Sequence, residues 1–215
     1  MNVKLVRLED IADEAPVREA AAGCDAVFVM PFIDRAMAER SARQLAGRAQ
    51  GAGLVLAVED VHRLGFVAIA NLAFRATTST FFGYVAQDCF SGRRWLARAL
   101  SALSEPDAGL LGFNDGKWSG ALASFGMVRR TWAQGNYGGD LFFPGYVRHF
   151  ADAELTVLAM QARRYCYDPE CLLIEVDWEK ERSPVNPADR ALYRERAAGG
   201  FEGRVRDTRL LSLFS

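Results

Sequence analysis

The chain has 215 residues, of which 50% are hydrophobic and 25% charged, and its formal net charge is -1. This length and composition predict one large domain with an extensive core. The near-neutral charge gives no general attraction to nucleic acid or to a membrane surface. Neither a signal peptide nor a membrane span is predicted, because charged residues interrupt the apolar stretches. The four cysteines lack metal-binding spacing, so we expect reduced thiols in a soluble cytoplasmic protein.

Buried strands and helices alternate in the first half of the chain. Apolar runs at 26–30, 54–58 and 81–85 have the length and composition of buried strands. Residues 33–50 carry good helix formers at helical spacing, and residues 67–73 suit a second helix. Strand, helix, strand at this spacing is a βαβ unit, so we expect the first two strands to be parallel.

The second half of the chain is predicted to add further strands and helices. Ser91 is a candidate N-cap for a helix at 93–103. The remaining predicted elements are strands at 109–113, 121–128 and 171–176 and helices at 146–164 and 188–198. In the long helix at 146–164, the apolar residues are expected to share one face.

Acidic side chains follow the first three predicted strands. They are Asp34, Asp60 and Asp88. Ligands of open α/β sheets bind beyond the carboxyl ends of the strands, and no phosphate-binding glycine loop is present. Convergent acids without that loop favour a metal ion or a hydroxyl-rich ligand. The alternative is that each acid belongs to a solvated turn.

A second polar group lies at the start of the long predicted helix. His149 and Asp152 are three residues apart, so they are expected to share a helical face. The structural alternatives are a carboxylate that favours the helix dipole and a histidine with hydrogen-bond partners in the core.

Four segments, in this order, resemble nucleotide-sugar-dependent glycosyltransferases of the GT-A fold, family 2-like. Residues 27–34 (VFVMPFID) resemble the opening strand, and the strand ending in Glu59 and Asp60 resembles the second strand, whose acid contacts the nucleotide. Residues 84–88, followed by a helix, resemble the metal-binding DxD region. Residues 142–155 resemble the segment that carries the catalytic acid.

The resemblance implies an α/β, GT-A-like domain with a mostly parallel central sheet flanked by helices. This domain is expected at 24–178. An N-terminal extension at 1–23 would pack on it, and a C-terminal extension at 179–215 would contain a short helix. The oligomeric state is not predicted.

The resemblance also implies a donor, an acceptor and a mechanism. The donor would be a nucleotide-diphosphate sugar and the acceptor a hydroxyl of a sugar or another molecule. Asp152 would act as general base, giving inversion at the sugar carbon. Asp88 and His149 would bind Mn²⁺ or Mg²⁺, which neutralises the leaving diphosphate. The implied nucleotide-sugar-binding residues are Pro31, Phe32, Asp34, Asp60, Gln87 and Asp88, and the implied acceptor-side residues are Trp118 and Tyr146.

The sequence departs from the family pattern at two acidic positions. Ala86 stands where the DxD region has its first acid, and Ala151 stands where an acid precedes the catalytic one. The QxxRW sequence of processive members is absent, so a processive polymerase is not expected. Two alternatives stay open: a degenerate member that binds nucleotide or sugar without turnover, and a nucleotidyltransferase of the same fold.

Overall fold

The computed structural model describes residues 1–12, 14–176 and 185–214. Its strands are β1 (Asn2–Arg7), β2 (Ala26–Phe32), β3 (Gly53–Glu59), β4 (Phe81–Tyr84), β5 (Cys89–Ser91), β6 (Leu110–Asn114), β7 (Gly126–Arg129) and β8 (Tyr165–Glu175). Its helices are α1 (Leu8–Ala12), α2 (Glu14–Ala21), α3 (Arg35–Arg48), α4 (Phe66–Ala76), α5 (Trp95–Ala102), α6 (Arg130–Ala133), α7 (Ala151–Gln161), α8 (Pro187–Ala198), α9 (Gly200–Gly203) and α10 (Thr208–Leu211). Within these ranges no helix has the length and apolar character needed to cross a membrane.

The strands form one sheet in the order β1-β3-β2-β4-β7-β6-β8-β5. The predicted βαβ unit is present: β2 is parallel to β3 on one side and to β4 on the other. Strand β1 extends this parallel part at the edge. Strand β7 runs antiparallel to both of its neighbours. The predicted α/β fold with a mostly parallel sheet is therefore confirmed, and the ends of β2, β3 and β4 face the same edge.

The central strands β2, β3 and β4 are buried on both faces, which explains why their sequences are continuous apolar runs. Side chains alternate along β2, so that Val27 and Val29 pack in the core beneath α4 and α7. Phe28 and Met30 pack in the core beneath α3 and α5. Each face therefore has its own helices, and an unpaired polar side chain in the middle of β2 would be costly to bury.

The region after β4 differs from its prediction. Ser91 does not cap the following helix, because it lies in β5, where its N–H donates to Gln44 Oε1 at 2.9 Å. Helix α5 instead begins after Arg94, which has a left-handed backbone with φ 62°. Strand β5 has only three residues, too short to produce a readable alternation.

Helix α7 is shorter and more central than its sequence predicts. It covers Ala151–Gln161, so His149 precedes it and does not share a helical face with Asp152. Phe150 begins the helix with φ 66°. Residues 153–159 are all buried, because the sheet covers one side of α7 and the C-terminal helices cover the other. The predicted single apolar face is therefore wrong.

A buried carboxylate joins α7 to α8. Glu154 accepts hydrogen bonds from Arg196 Nε at 2.7 Å and from Arg196 Nη2 at 2.6 Å. The hydroxyls of Tyr137 and Tyr146 donate to the same carboxylate, each at 2.8 Å. Charge-assisted bonds of this bidentate kind are strong and directional, so they fix the position of α8 on α7.

We expect Arg196→Ala to destabilise the protein by about 3 to 5 kcal/mol, because it leaves the buried Glu154 without its close cation. Arg194→Ala is the matched control, since Arg194 is an exposed arginine on the same helix. Urea denaturation of both variants measures the difference. Equal losses in the two variants would contradict the assigned role of the Glu154–Arg196 pair.

Candidate functional site

Three loops meet at one edge of the sheet because β2, β3 and β4 are parallel neighbours. The side-chain oxygen of Gln87 accepts from the N–H groups of Ile33 and Asp34, at 2.8 and 3.0 Å. The N–H of Asp60 donates to the carbonyl of Phe32 at 2.8 Å. We call residues 31–34, 59–65 and 85–88 the strand-end edge. These bonds hold its three loops together.

The carboxylates of Asp34 and Asp60 both bind backbone N–H groups. Asp34 caps α3 by accepting from Met37 N–H at 3.0 Å, and its side chain is exposed. Asp60 is buried, and its two oxygens accept from Leu64 and Gly65 at 2.8 and 2.9 Å. Both acids therefore shape the strand-end edge.

The β3–α4 loop is also tied to the chain before α7. Gly65 has φ 93°, and a Cβ there would lie 2.6 Å from the Val147 carbonyl oxygen, so only glycine fits. The same oxygen accepts from Val67 N–H at 3.2 Å. The segment that leads into α7 is thus held against the strand-end edge.

Within the part of the chain that the structure describes, the predicted metal ligands Asp88 and His149 do not belong to a recognisable metal site. His149 Nδ1 accepts from Asn186 N–H at 3.2 Å. Burial lowers the pKa of His149, and the charge of Asp189 partly opposes this shift. Across residues 1–12, 14–176 and 185–214, no three His, Cys, Asp or Glu side chains come close enough to hold a metal ion. The side chain of Ala86 carries no oxygen, so the described residues of this segment offer Mn²⁺ or Mg²⁺ one carboxylate, that of Asp88, in place of the two that the resemblance to a DxD region implies, and they do not reproduce the implied metal site.

A small cavity of about 120 Å³ opens between the end of β4 and the start of α7. It is lined by Phe66, Tyr84, Ala86, Ser124, Phe125, Phe142, Arg148, Ala151 and Asp152. Ligand pockets usually measure roughly 300 to 1,000 Å³, so this cavity fits the reacting end of a large ligand rather than all of it. A wider, shallow depression on α8 and α10 lies among Arg194, Thr208 and Leu211, away from the strand ends.

Asp152 brings a carboxylate with an unusual pKa to this cavity. The residue is partly accessible, yet the atoms packed around it are mostly apolar. Desolvation raises the pKa of Asp152 to about 6, although the N–H groups of Ala153 and of Asp152 itself lower it and the charge of Asp115 adds to the rise. A carboxylate with this pKa is ionised at neutral pH and accepts a proton more readily than an exposed acid does.

Asp115 organises the opposite wall of the cavity. Its carboxylate accepts from the N–H groups of Lys117 and Trp118, at 2.9 and 2.8 Å. The hydroxyl of Ser124, which lines the cavity, also donates to it. Asp115 thereby fixes both the cavity wall and the loop that carries Trp118.

The two predicted acceptor-side residues occupy different environments. Trp118 is 39% exposed and meets Phe214 edge to face, with ring centroids 5.9 Å apart. Tyr146 is only 3% exposed, and its hydroxyl donates to Glu154. The structure therefore gives Trp118 an accessible surface and places Tyr146 in the core.

Arg148 is a cavity residue that the sequence did not single out. It is exposed and lines the cavity together with Asp152 and Ala86. The buried carboxylate of Asp189 on α8 accepts from the N–H groups of Val147, Arg148 and His149, at 2.9, 3.0 and 2.9 Å. Only the tertiary fold brings Arg148 to the cavity, so no local pattern in the sequence reveals it.

The fold of this chain, a mostly parallel sheet with helices on both faces, is GT-A-like and matches the folds of solved glycosyltransferases. The mannosyltransferase PcManGT from Pyrobaculum calidifontis, in complex with GDP-Man and Mn²⁺, matches 88% of this chain with a TM-score of 0.55 and 15% identity. TarS from S. aureus matches 86% with a TM-score of 0.64 and 11% identity, and its 1–349 fragment in complex with UDP gives 0.59. The match spans 68% of the PcManGT chain and 41% of the TarS chain. Neither family models nor curated protein sequences gave a match.

We expect Asp152→Asn to stabilise the protein at pH 8. Because the pKa of Asp152 is raised to about 6 in the folded state, ionisation opposes folding, and stability falls as the pH rises from the unfolded pKa near 3.9 through about 6. The asparagine side chain does not ionise, so the variant does not lose stability as the pH rises. The melting temperature of the variant should exceed that of the wild type clearly at pH 8 and by much less at pH 4.5, where only part of this loss has occurred. A variant equally destabilised at both pH values would contradict the shift.

Proposed function

We propose that this protein is a glycosyltransferase that moves a sugar from a nucleotide-diphosphate donor to an acceptor hydroxyl, with inversion at the sugar carbon. The observation that carries the proposal is the position of Asp152. Its carboxylate, with a pKa raised to about 6, lies in a cavity at the carboxyl end of β4, where ligands of open α/β sheets bind. The domain at 24–178 would contain this machinery, with residues 1–23 and 179–215 as extensions.

In this proposal the nucleotide lies along the strand-end edge and the sugar points into the cavity. The proposed contacts are Pro31, Phe32, Asp34, Asp60, Gln87 and Asp88. The exposed carboxylate of Asp34 is available to a ribose or a base. Structural neighbours in complex with GDP-Man, UDP or UDP-GlcNAc support a donor of this class.

The proposed reaction needs one base and one leaving group. Asp152 takes the proton from the acceptor hydroxyl, whose oxygen attacks the anomeric carbon. The bond from that carbon to the diphosphate oxygen breaks, and its electron pair leaves with the nucleoside diphosphate. General base assistance of this kind is worth about 10² to 10⁴ in rate. Trp118 would present its accessible ring to the acceptor.

We expect the wild-type protein to release a nucleoside diphosphate from at least one sugar in a panel of UDP-sugars and GDP-sugars. The rate should rise about tenfold per pH unit below the raised pKa of Asp152, about 6, and level off above it, because only the ionised base acts. Asp152→Asn should lower the rate by about 10² to 10⁴. Asp107→Asn is the control, since that side chain is 93% exposed. If Asp152→Asn kept the wild-type rate, Asp152 would not be the general base.

The second candidate function is binding of a nucleotide or sugar without turnover. Ala86, in place of an acid that the resemblance leads one to expect, favours this alternative. It predicts measurable binding of UDP or GDP together with no release of diphosphate from any donor in the panel. The transferase proposal predicts both binding and release.

A further inference from the structure

We propose that Arg148, rather than a divalent cation, balances the charge of the departing diphosphate. This inference rests on the proposed transferase function and concerns the same cavity. It starts from a mismatch: the resemblance implies a metal site, whereas the described residues around Ala86 do not supply one.

The chemistry requires a positive charge near the leaving group. When the bond from the anomeric carbon to the diphosphate oxygen breaks, the electron pair stays on that oxygen and the leaving group gains one negative charge. A cation that is already in place stabilises this charge without reorganisation during the reaction. Among the lining residues that belong to the described part of the chain, Arg148 is the one with a positive charge.

Arg148 has the chemistry that a diphosphate needs. Its guanidinium presents several N–H donors in a planar fork, which matches two phosphate oxygens at once. The ion pairs among the described residues do not include Arg148. Its charge is therefore available to a ligand that enters between Ala86 and Asp152.

The backbone that carries Arg148 is fixed from two sides. On one side, the carboxylate of Asp189, which is 2% exposed, accepts from three consecutive N–H groups at 147–149. On the other side, the Val147 carbonyl accepts from Val67 N–H on α4. Arg148 thus starts from a rigid position at the cavity mouth, and α8 supplies the residue that positions it.

The experiment measures binding of UDP, GDP, uridine and guanosine by calorimetry in the presence of EDTA. We expect the wild type to bind UDP or GDP without metal. Arg148→Ala should weaken the binding of that diphosphate by roughly 10- to 100-fold, which is the range expected for the loss of a hydrogen bond to a charged group. The affinity for the matching nucleoside should not change. The diphosphate affinity of Arg148→Lys should lie between those of the wild type and Arg148→Ala, because lysine keeps the positive charge but lacks the planar fork of N–H donors.

Arg206→Ala is the matched control for charge. Arg206 is exposed, and its N–H donates to Gln161 at the far end of α7, roughly 14 Å along the helix from Asp152. This variant should bind UDP and GDP as the wild type does. Unchanged melting temperatures would show that the arginine variants are folded.

Three results would overturn the inference. If the diphosphates bind only when Mn²⁺ is present, the transferase proposal stands, but a metal ion and not Arg148 neutralises the leaving group. If Arg148→Ala binds the diphosphates in EDTA as tightly as the wild type does, Arg148 does not contact the phosphates. The same conclusion follows if nucleosides and diphosphates lose affinity equally. No binding of either diphosphate under any condition would remove the donor site and, with it, the proposed function.

Discussion

The candidate site depends on the parallel pairing of β2 with both of its neighbours. Because β3 and β4 run in the same direction as β2, their three following loops emerge at one edge. The side chain of Gln87 then joins two of these loops, and the N–H of Asp60 joins the third. The cavity forms where this edge meets the start of α7. A change in the register of these strands would therefore move the three loops apart and disrupt the candidate site.

Helix α7 shows how environment separates the roles of two neighbouring carboxylates. Glu154 is completely buried, but it accepts hydrogen bonds from Arg196, Tyr137 and Tyr146. Asp152 is the second residue of α7 and has mostly apolar surroundings, and desolvation raises its pKa to about 6. A carboxylate with strong partners holds the structure together, whereas one without them is available for proton transfer. Helix α8 contacts both regions, through Arg196 in the core and Asp189 at the cavity mouth.

The sequence predicted the parallel half of the sheet well because strands buried on both faces leave long apolar runs. The run at 54–58 lies within β3, and the helix predicted at 188–198 is α8. The predictions were poorer where tertiary contacts decide the structure. Strand β5 is too short for a periodic signal. The start of α7 depends on a left-handed residue at Phe150, which no local composition marks.

In the candidate site, too, residues with a local sequence signal were predicted, and residues positioned by tertiary contacts were not. Asp152 was identified from its resemblance to a family segment, and the structure places it in a cavity. Arg148 and Asp115 carried no such signal, because their importance arises from neighbours distant in the sequence. Asp34 and Asp60 end strands as predicted, yet their hydrogen bonds to the backbone show that strand-end acids also have a structural use.

The central claim is that a nucleoside diphosphate binds along the strand-end edge and reaches the cavity beside Asp152. Hydrogen exchange of backbone amides with saturating UDP or GDP tests it most directly, because exchange reports which segments a ligand protects. The account predicts slower exchange at 31–34, 85–88 and 147–152, with little change at α10. Protection confined to the depression on α8 and α10, or no protection with either nucleotide, would contradict it.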